Sequence, residues 1–178
     1  MNVPNKLTLL RVILVFILVI VYYIDTPYSG LFSAIVFVIA SLTDLFDGYL
    51  ARKQGIVTKF GKLLDPIADK LLVGTAVILL CGDSMIHPII VAILIGREFI
   101  IGGYRLLAAS EGVIIAADVW GKVKTIVQIV AVSFLLVSMS FTSISLFKWV
   151  GDALIYVSVL LSIISCINYI VKNRSIMI

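Results

Sequence analysis

Charge is scarce in this chain. Asp, Glu, Lys and Arg together make up 13% of 178 residues, about half of what a soluble domain carries. Cysteine and histidine are scarcer still. Cys81 is expected near the outer end of its helix and Cys166 near the inner part of its own, so they supply neither a disulfide framework nor a zinc site. The single histidine, His87, precedes Pro88 and reads as a loop residue at the start of a helix. Internal repeats, low-complexity tracts and linker-like stretches are absent, which leaves one domain over residues 1–178. What fills the chain is hydrocarbon: 62% of residues are hydrophobic and the mean hydropathy is +1.20. That balance excludes an ordinary soluble domain and predicts an integral membrane protein.

A crossing takes about 20 apolar residues at about 1.5 Å rise each. Six runs meet that need, from Leu7 to Ile24, Gly30 to Arg52, Phe60 to Cys81, His87 to Ala109, Val119 to Ser140 and Phe147 to Val171. The breaks between them carry turn residues, as in Asp25-Thr26-Pro27-Tyr28-Ser29-Gly30 and Gly82-Asp83-Ser84. The expected fold is an all-α bundle of six transmembrane helices with short connections. The first run is read as a retained helix, because no small-x-small cleavage site follows Val21-Tyr22-Tyr23-Ile24. Trp120, Trp149 and the tyrosines near helix ends are expected as interfacial anchors.

The cations set the orientation. Lys6, Arg11, Arg52, Lys53, Lys59, Lys62, Lys122, Lys124, Lys172 and Arg174 all fall on one side of such a bundle, which is then the cytoplasmic side, with both termini. The net charge of +4 serves topology and attraction to anionic lipid headgroups, and no nucleic-acid partner is needed to explain it.

Against this background four aspartates stand out: Asp44-x-x-Asp47-Gly48-x-x-Ala51-Arg52, then eight residues, then Gly61-x-x-x-Asp65-x-x-x-Asp69. Carboxylates in hydrocarbon cost several kcal/mol each unless a cation neutralises them. Steps of three and four residues place each set on one stripe of its helix. Eight residues separate Arg52 from Asp44 and Gly61 from Asp69, so two antiparallel neighbours would carry the carboxylates to matched depths of about 12 Å. Such a set suits two hard divalent ions such as magnesium, manganese or calcium. Gly48, Ala51 and Gly61 leave room for a bulky ligand, and Arg52 is placed for a phosphate oxygen. Two metals with an arginine fit phosphoryl transfer better than ion transport. A single Asp-x-x-Asp pair would be explained equally well as an ion pair, and Gly-x-x-Ala as helix packing; four aspartates at matched depth are not.

The pattern Asp44-Leu-Phe-Asp47-Gly48-Tyr-Leu-Ala51-Arg52, eight residues, Gly61-Lys-Leu-Leu-Asp65-Pro-Ile-Ala-Asp69 resembles the signature of the CDP-alcohol phosphotransferase family at every fixed position. The outer stretches Val3-Pro4-Asn5-Lys6-Leu7-Thr8-Leu9-Leu10-Arg11, Gly96-Arg97-Glu98-Phe99 to Arg105, and Gly121-Lys122-Val123-Lys124-Thr125-x-x-Gln128 resemble the bacterial members that make phosphatidylglycerophosphate.

The resemblance implies six helices around a polar cavity open to the cytoplasm, a homodimer in the bacterial cytoplasmic membrane, and transfer of the phosphatidyl group of CDP-diacylglycerol to sn-glycerol 3-phosphate. It implies that Asp44, Asp47, Asp65 and Asp69 hold two Mg2+ or Mn2+ ions and that Asp69 also acts as base. It assigns Asn5, Thr8, Gly48, Arg52, Thr58 and Gly61 to CDP-diacylglycerol, although Asn5-x-x-Thr8 also reads as a helix cap.

The acceptor is a dianion and calls for cations; Arg97, Arg105, Lys122 and Lys124 are available. Arg97, near the bilayer middle, is expected to pair with a carboxylate, an aspartate or Glu98, or with substrate. Arg105 shares its face, and of two lysines two residues apart only one can reach the pocket. Other readings are acceptors such as inositol phosphate, serine or phosphatidylglycerol, and, from another class, a small cation or proton transporter. Pro66 reads as a first-turn residue or a mild kink.

Overall fold

Six apolar runs become six α-helices in the computed structural model, which describes residues 3–54, 59–113 and 119–173, and excludes the side chains of residues 3–7, 44–54, 59–66 and 69. The helices are α1 (Val3–Tyr22), α2 (Ser29–Gln54), α3 (Lys59–Gly82), α4 (Pro88–Ser110), α5 (Val119–Ser140) and α6 (Ser145–Lys172). The all-α expectation is met, and the segment ends agree to within a few residues. The largest difference is at the start, where the helix takes in Val3-Pro4-Asn5-Lys6 ahead of the apolar run. Asn5 and Thr8 are therefore both inside α1, and the capping alternative for them fails. Pro66 sits in the interior of α3 rather than in its first turn, where it withholds one backbone N–H from the helix ladder.

The helices run up and down. At one end Tyr22, closing α1, donates its hydroxyl to the Leu79 carbonyl at 3.1 Å and to Asp83 Oδ2 at 2.7 Å, at the close of α3. At that same end of the chain path, the start of α2 meets the close of α5, where Leu31 N–H donates to Ser140 Oγ at 2.9 Å. His87 caps α4: its Nδ1 accepts from Ile89 N–H at 3.3 Å, with Pro88 as the first helical residue, where a missing N–H costs nothing. The loop reading of His87 is thereby refined into a capping role. Cys81 and Cys166 are free thiols.

One apolar core joins all six helices, through Leu18 of α1, Phe37 of α2, Ala76, Val77 and Leu80 of α3, Leu94 of α4, Leu135 and Leu136 of α5 and Ile155 of α6. Two glycines set its tightest approaches. A Cβ on Gly30 would clash with the Leu136 carbonyl oxygen and lie 2.7 Å from Met139 Cβ, and one on Gly151 would lie 2.7 Å from Leu135 Cγ. Close backbone approach of this kind gains dispersion contacts between helices. A second, smaller cluster of Ile101, Tyr104 and Tyr169 lies toward the other end.

The outward faces are apolar as well. Phe16, Phe99, Leu106 and Trp149 are among many large side chains left exposed, and Trp120 is exposed too. Among the described residues, α5 and α6 are long and apolar enough to cross a membrane, and shorter apolar stretches occupy Thr8–Tyr22, Ser29–Thr43 and Lys70–Gly82.

Candidate active site

The aspartate motif lies on α2 and α3, two helices in contact with each other and both packed on α1. Both run unbroken through the motif, so the three- and four-residue steps place Asp44, Asp47, Gly48, Ala51 and Arg52 on one stripe of α2, and Gly61, Asp65 and Asp69 on one stripe of α3. The side chains of these residues, and all of Thr58, lie outside the described residues. The donor set is carboxylate oxygen throughout, the chemistry that magnesium and manganese accept. Among the described residues no three His, Cys, Asp or Glu side chains come together as an alternative metal centre.

Beside that motif stands a cluster of partly buried charge. Glu98 of α4 is its hub: one carboxylate oxygen, Oε1, receives Arg97 Nη1 at 3.0 Å and Lys124 Nζ of α5 at 2.7 Å. Arg97 reaches with its other arm to Ser165 Oγ of α6 at 2.7 Å. Lys70, which follows the last aspartate of the motif on α3, brings its Nζ to 3.5 Å from the Glu98 carbonyl oxygen. The Lys124 side chain is only 3% exposed and that of Arg97 11%, so these are not solvated surface pairs. Buried charges of this kind hold only while each has its partner, because removing one strands the other in a poorly polarisable medium.

Glycines clear the space for the cations. A Cβ on Gly102 would lie 2.9 Å from Lys70 Nζ, and one on Gly121 would lie 3.0 Å from Arg97 Nη2. Further along α4, Arg105 lies over the Tyr169 ring, its guanidinium carbon 5.5 Å from the centroid, and donates Nε–H to the Tyr169 hydroxyl at 3.2 Å. Tyr169 also meets Tyr104 edge to face at 5.8 Å. Arg97 and Arg105 thus both turn toward α6, as their eight-residue spacing requires.

Packing separates Lys122 from Lys124. Lys124 is buried and paired with Glu98, whereas Lys122 is exposed. Thr8 and Arg11, one turn apart on α1, are also buried at 1% exposure each. Arg11, one of the cations that set the expected orientation, is one of the most enclosed side chains among the described residues. Glu98 as a shared partner, Ser165 and Lys70 were not expected. A signal for two of the buried cations is nonetheless present in the sequence. Lys124 continues the buried stripe Gln128, Ala131, Val132 and Leu135, and Arg11 lies on the buried stripe Thr8, Val15, Leu18 and Tyr22.

The described side chains define a class: an all-α protein whose apolar helices enclose a cation-rich cluster, a lining suited to an anionic group. Comparison with known proteins makes this particular. The profile of the CDP-alcohol phosphatidyltransferase family matches residues 1–164, and the chain belongs to that family. A relative from Rickettsia bellii, named CDP-diacylglycerol–glycerol-3-phosphate 3-phosphatidyltransferase, is 38% identical over 168 residues, spanning 94% of this chain and 93% of its own length. Relatives of the same name from Bacillus subtilis and Salmonella choleraesuis are 41% and 38% identical, each spanning 97% of this chain and 95% of its own length.

Proposed function

We propose that this chain is a phosphatidyltransferase that joins the phosphatidyl group of CDP-diacylglycerol to sn-glycerol 3-phosphate, giving phosphatidylglycerophosphate and CMP. The observation that carries the reading is the aspartate motif on two contacting helices, in a chain whose relatives over nearly their full length bear this reaction in their names. The cluster of Arg97, Lys124 and Lys70 supports the choice of a phosphorylated acceptor.

In this reading all six helices span the bacterial cytoplasmic membrane, with both termini and the charged end of the bundle on the cytoplasmic side. The apolar outer surface supports it, since solvent-facing helices do not carry so many large hydrophobic side chains. The lysine and arginine distribution supports the orientation. The site is then a polar chamber reached by lipid from the side and by water-soluble acceptor from the cytoplasm, and the enzyme works as a homodimer.

Asp44, Asp47, Asp65 and Asp69 hold two Mg2+ or Mn2+ ions, which when bound supply charge neutralisation at the diphosphate of the donor. Arg52 contacts a phosphate oxygen, while Gly48, Thr58, Gly61, Asn5 and Thr8 line the cytidine end. Arg97, Arg105 and Lys124 receive the acceptor phosphate, and Lys122 lies at the rim. Asp69 takes the proton from the acceptor hydroxyl as its oxygen bonds to the phosphorus that carries diacylglycerol. The bond from that phosphorus to the CMP oxygen breaks in the same displacement, and CMP leaves with the electron pair. The acceptor is itself the nucleophile, so no covalent enzyme intermediate is required.

Replacing Asp69 with Asn tests this assignment. Turnover, read as CMP release, is expected to fall by at least about a thousandfold while size-exclusion behaviour in detergent stays that of the parent, because base and metal ligand are lost together. Near-normal turnover of Asp69→Asn would remove it from the mechanism.

A further inference from the structure

Glu98 bonds to buried Lys124 and largely enclosed Arg97 through one oxygen, from two different helices, with a third cation at its backbone carbonyl. A carboxylate that existed only to neutralise an intramembrane charge would need one partner. Three cations converge on this one residue, a concentration of donors that suits a phosphate monoester. Arg97 also has a donor in reserve: both its terminal nitrogens are engaged, by Glu98 and Ser165, while its buried Nε–H meets no acceptor among the described residues. A buried guanidinium N–H without a partner is rare, and it leaves Arg97 a donor that an anion could engage. The glycines at 102 and 121 lie where side chains would push Lys70 and Arg97 aside.

We propose that Glu98 is a positioning residue for the acceptor phosphate. Its carboxylate draws Arg97 of α4 and Lys124 of α5 to a single point beside Lys70 of α3, and so holds preorganised a nest for a phosphate monoester that none of these cations would form alone. Glu98 does not touch the substrate; it fixes the groups that do. This rests on the proposed phosphatidyl transfer and adds to it the residue that sets affinity for the acceptor's phosphate.

The test compares Glu98→Ala and Glu98→Gln with the parent protein in detergent, varying sn-glycerol 3-phosphate and CDP-diacylglycerol separately. Glu98→Ala is expected to raise KM for glycerol 3-phosphate by about tenfold or more, with kcat and the KM for CDP-diacylglycerol changed by less than about twofold, the pattern of lost ground-state binding of one substrate. Glu98→Gln keeps an acceptor oxygen in the same place and is expected to recover part of that loss, to about threefold above the parent. It also serves as the measured variant if Glu98→Ala does not fold.

An unchanged or lower KM for glycerol 3-phosphate in both variants overturns the proposal, because Glu98 would then merely dilute the positive charge. Parallel losses for both substrates overturn it too, as the mark of a purely structural pair. A parent protein that releases no CMP with these substrates would instead refute the phosphatidyl transfer beneath it.

Discussion

Gly30 and Gly121 are both helix glycines with a neighbour crowding the place of a missing Cβ, and they do opposite work at opposite ends of the molecule. At Gly30 the neighbour includes the backbone of α5, the Leu136 carbonyl, in a core of close-packed hydrocarbon. At Gly121 it is the tip of Arg97, the far end of a long side chain in the charged cluster. Backbone cannot yield without moving a helix, whereas a guanidinium can swing aside at little cost to the fold. One region therefore uses small residues to gain packing; the other uses them to aim charge. The difference separates stability from function along the same set of helices.

This contrast can be broken by the same methyl group placed at each site. Gly30→Ala is expected to destabilise the protein by about 1–3 kcal/mol through overpacking between α2 and α5, seen as a fall of roughly 5 °C in the unfolding temperature in detergent. The folded fraction should keep the parent's KM values. Gly121→Ala is expected to shift the unfolding temperature by less than about 2 °C, since only a flexible side chain must move. It should raise KM for glycerol 3-phosphate severalfold, because Arg97 loses its place beside Ser165. If Gly121→Ala is the more destabilising of the two, or leaves acceptor affinity untouched, the division of labour between the two ends fails.

The same division explains what could be read from the chain beforehand. The helices were legible because each apolar run is long and bounded by turn residues, and only their ends moved, as at Val3 and Ser145, where polar residues extend a helix beyond its hydrocarbon. The aspartate stripes were legible because both halves of the motif keep helical spacing. The charged cluster was legible only in its parts. Arg97 and Glu98 are adjacent in sequence, but that Lys124 shares the same oxygen depends on how α5 is rotated against α4, a tertiary fact. Extending the apolar stripe of α5 back by one turn from Gln128 would have placed Lys124 inside and Lys122 outside. The stripe of α1 would likewise have placed Arg11 in the interior. Residue type alone left the rotation of both helices open, and for Lys124 the cost of burial is offset by Glu98, which lies on another helix.

The central claim, that metal-bound aspartates and a cation nest join a lipid donor to a phosphorylated acceptor, is tested most directly by CMP release from the purified protein in detergent. The account predicts release from CDP-diacylglycerol with sn-glycerol 3-phosphate in Mg2+ or Mn2+, loss of at least about a hundredfold on chelation, and only marginal release when uncharged glycerol replaces the phosphate ester. Release that persists in chelator, or that proceeds equally well with glycerol, would contradict it.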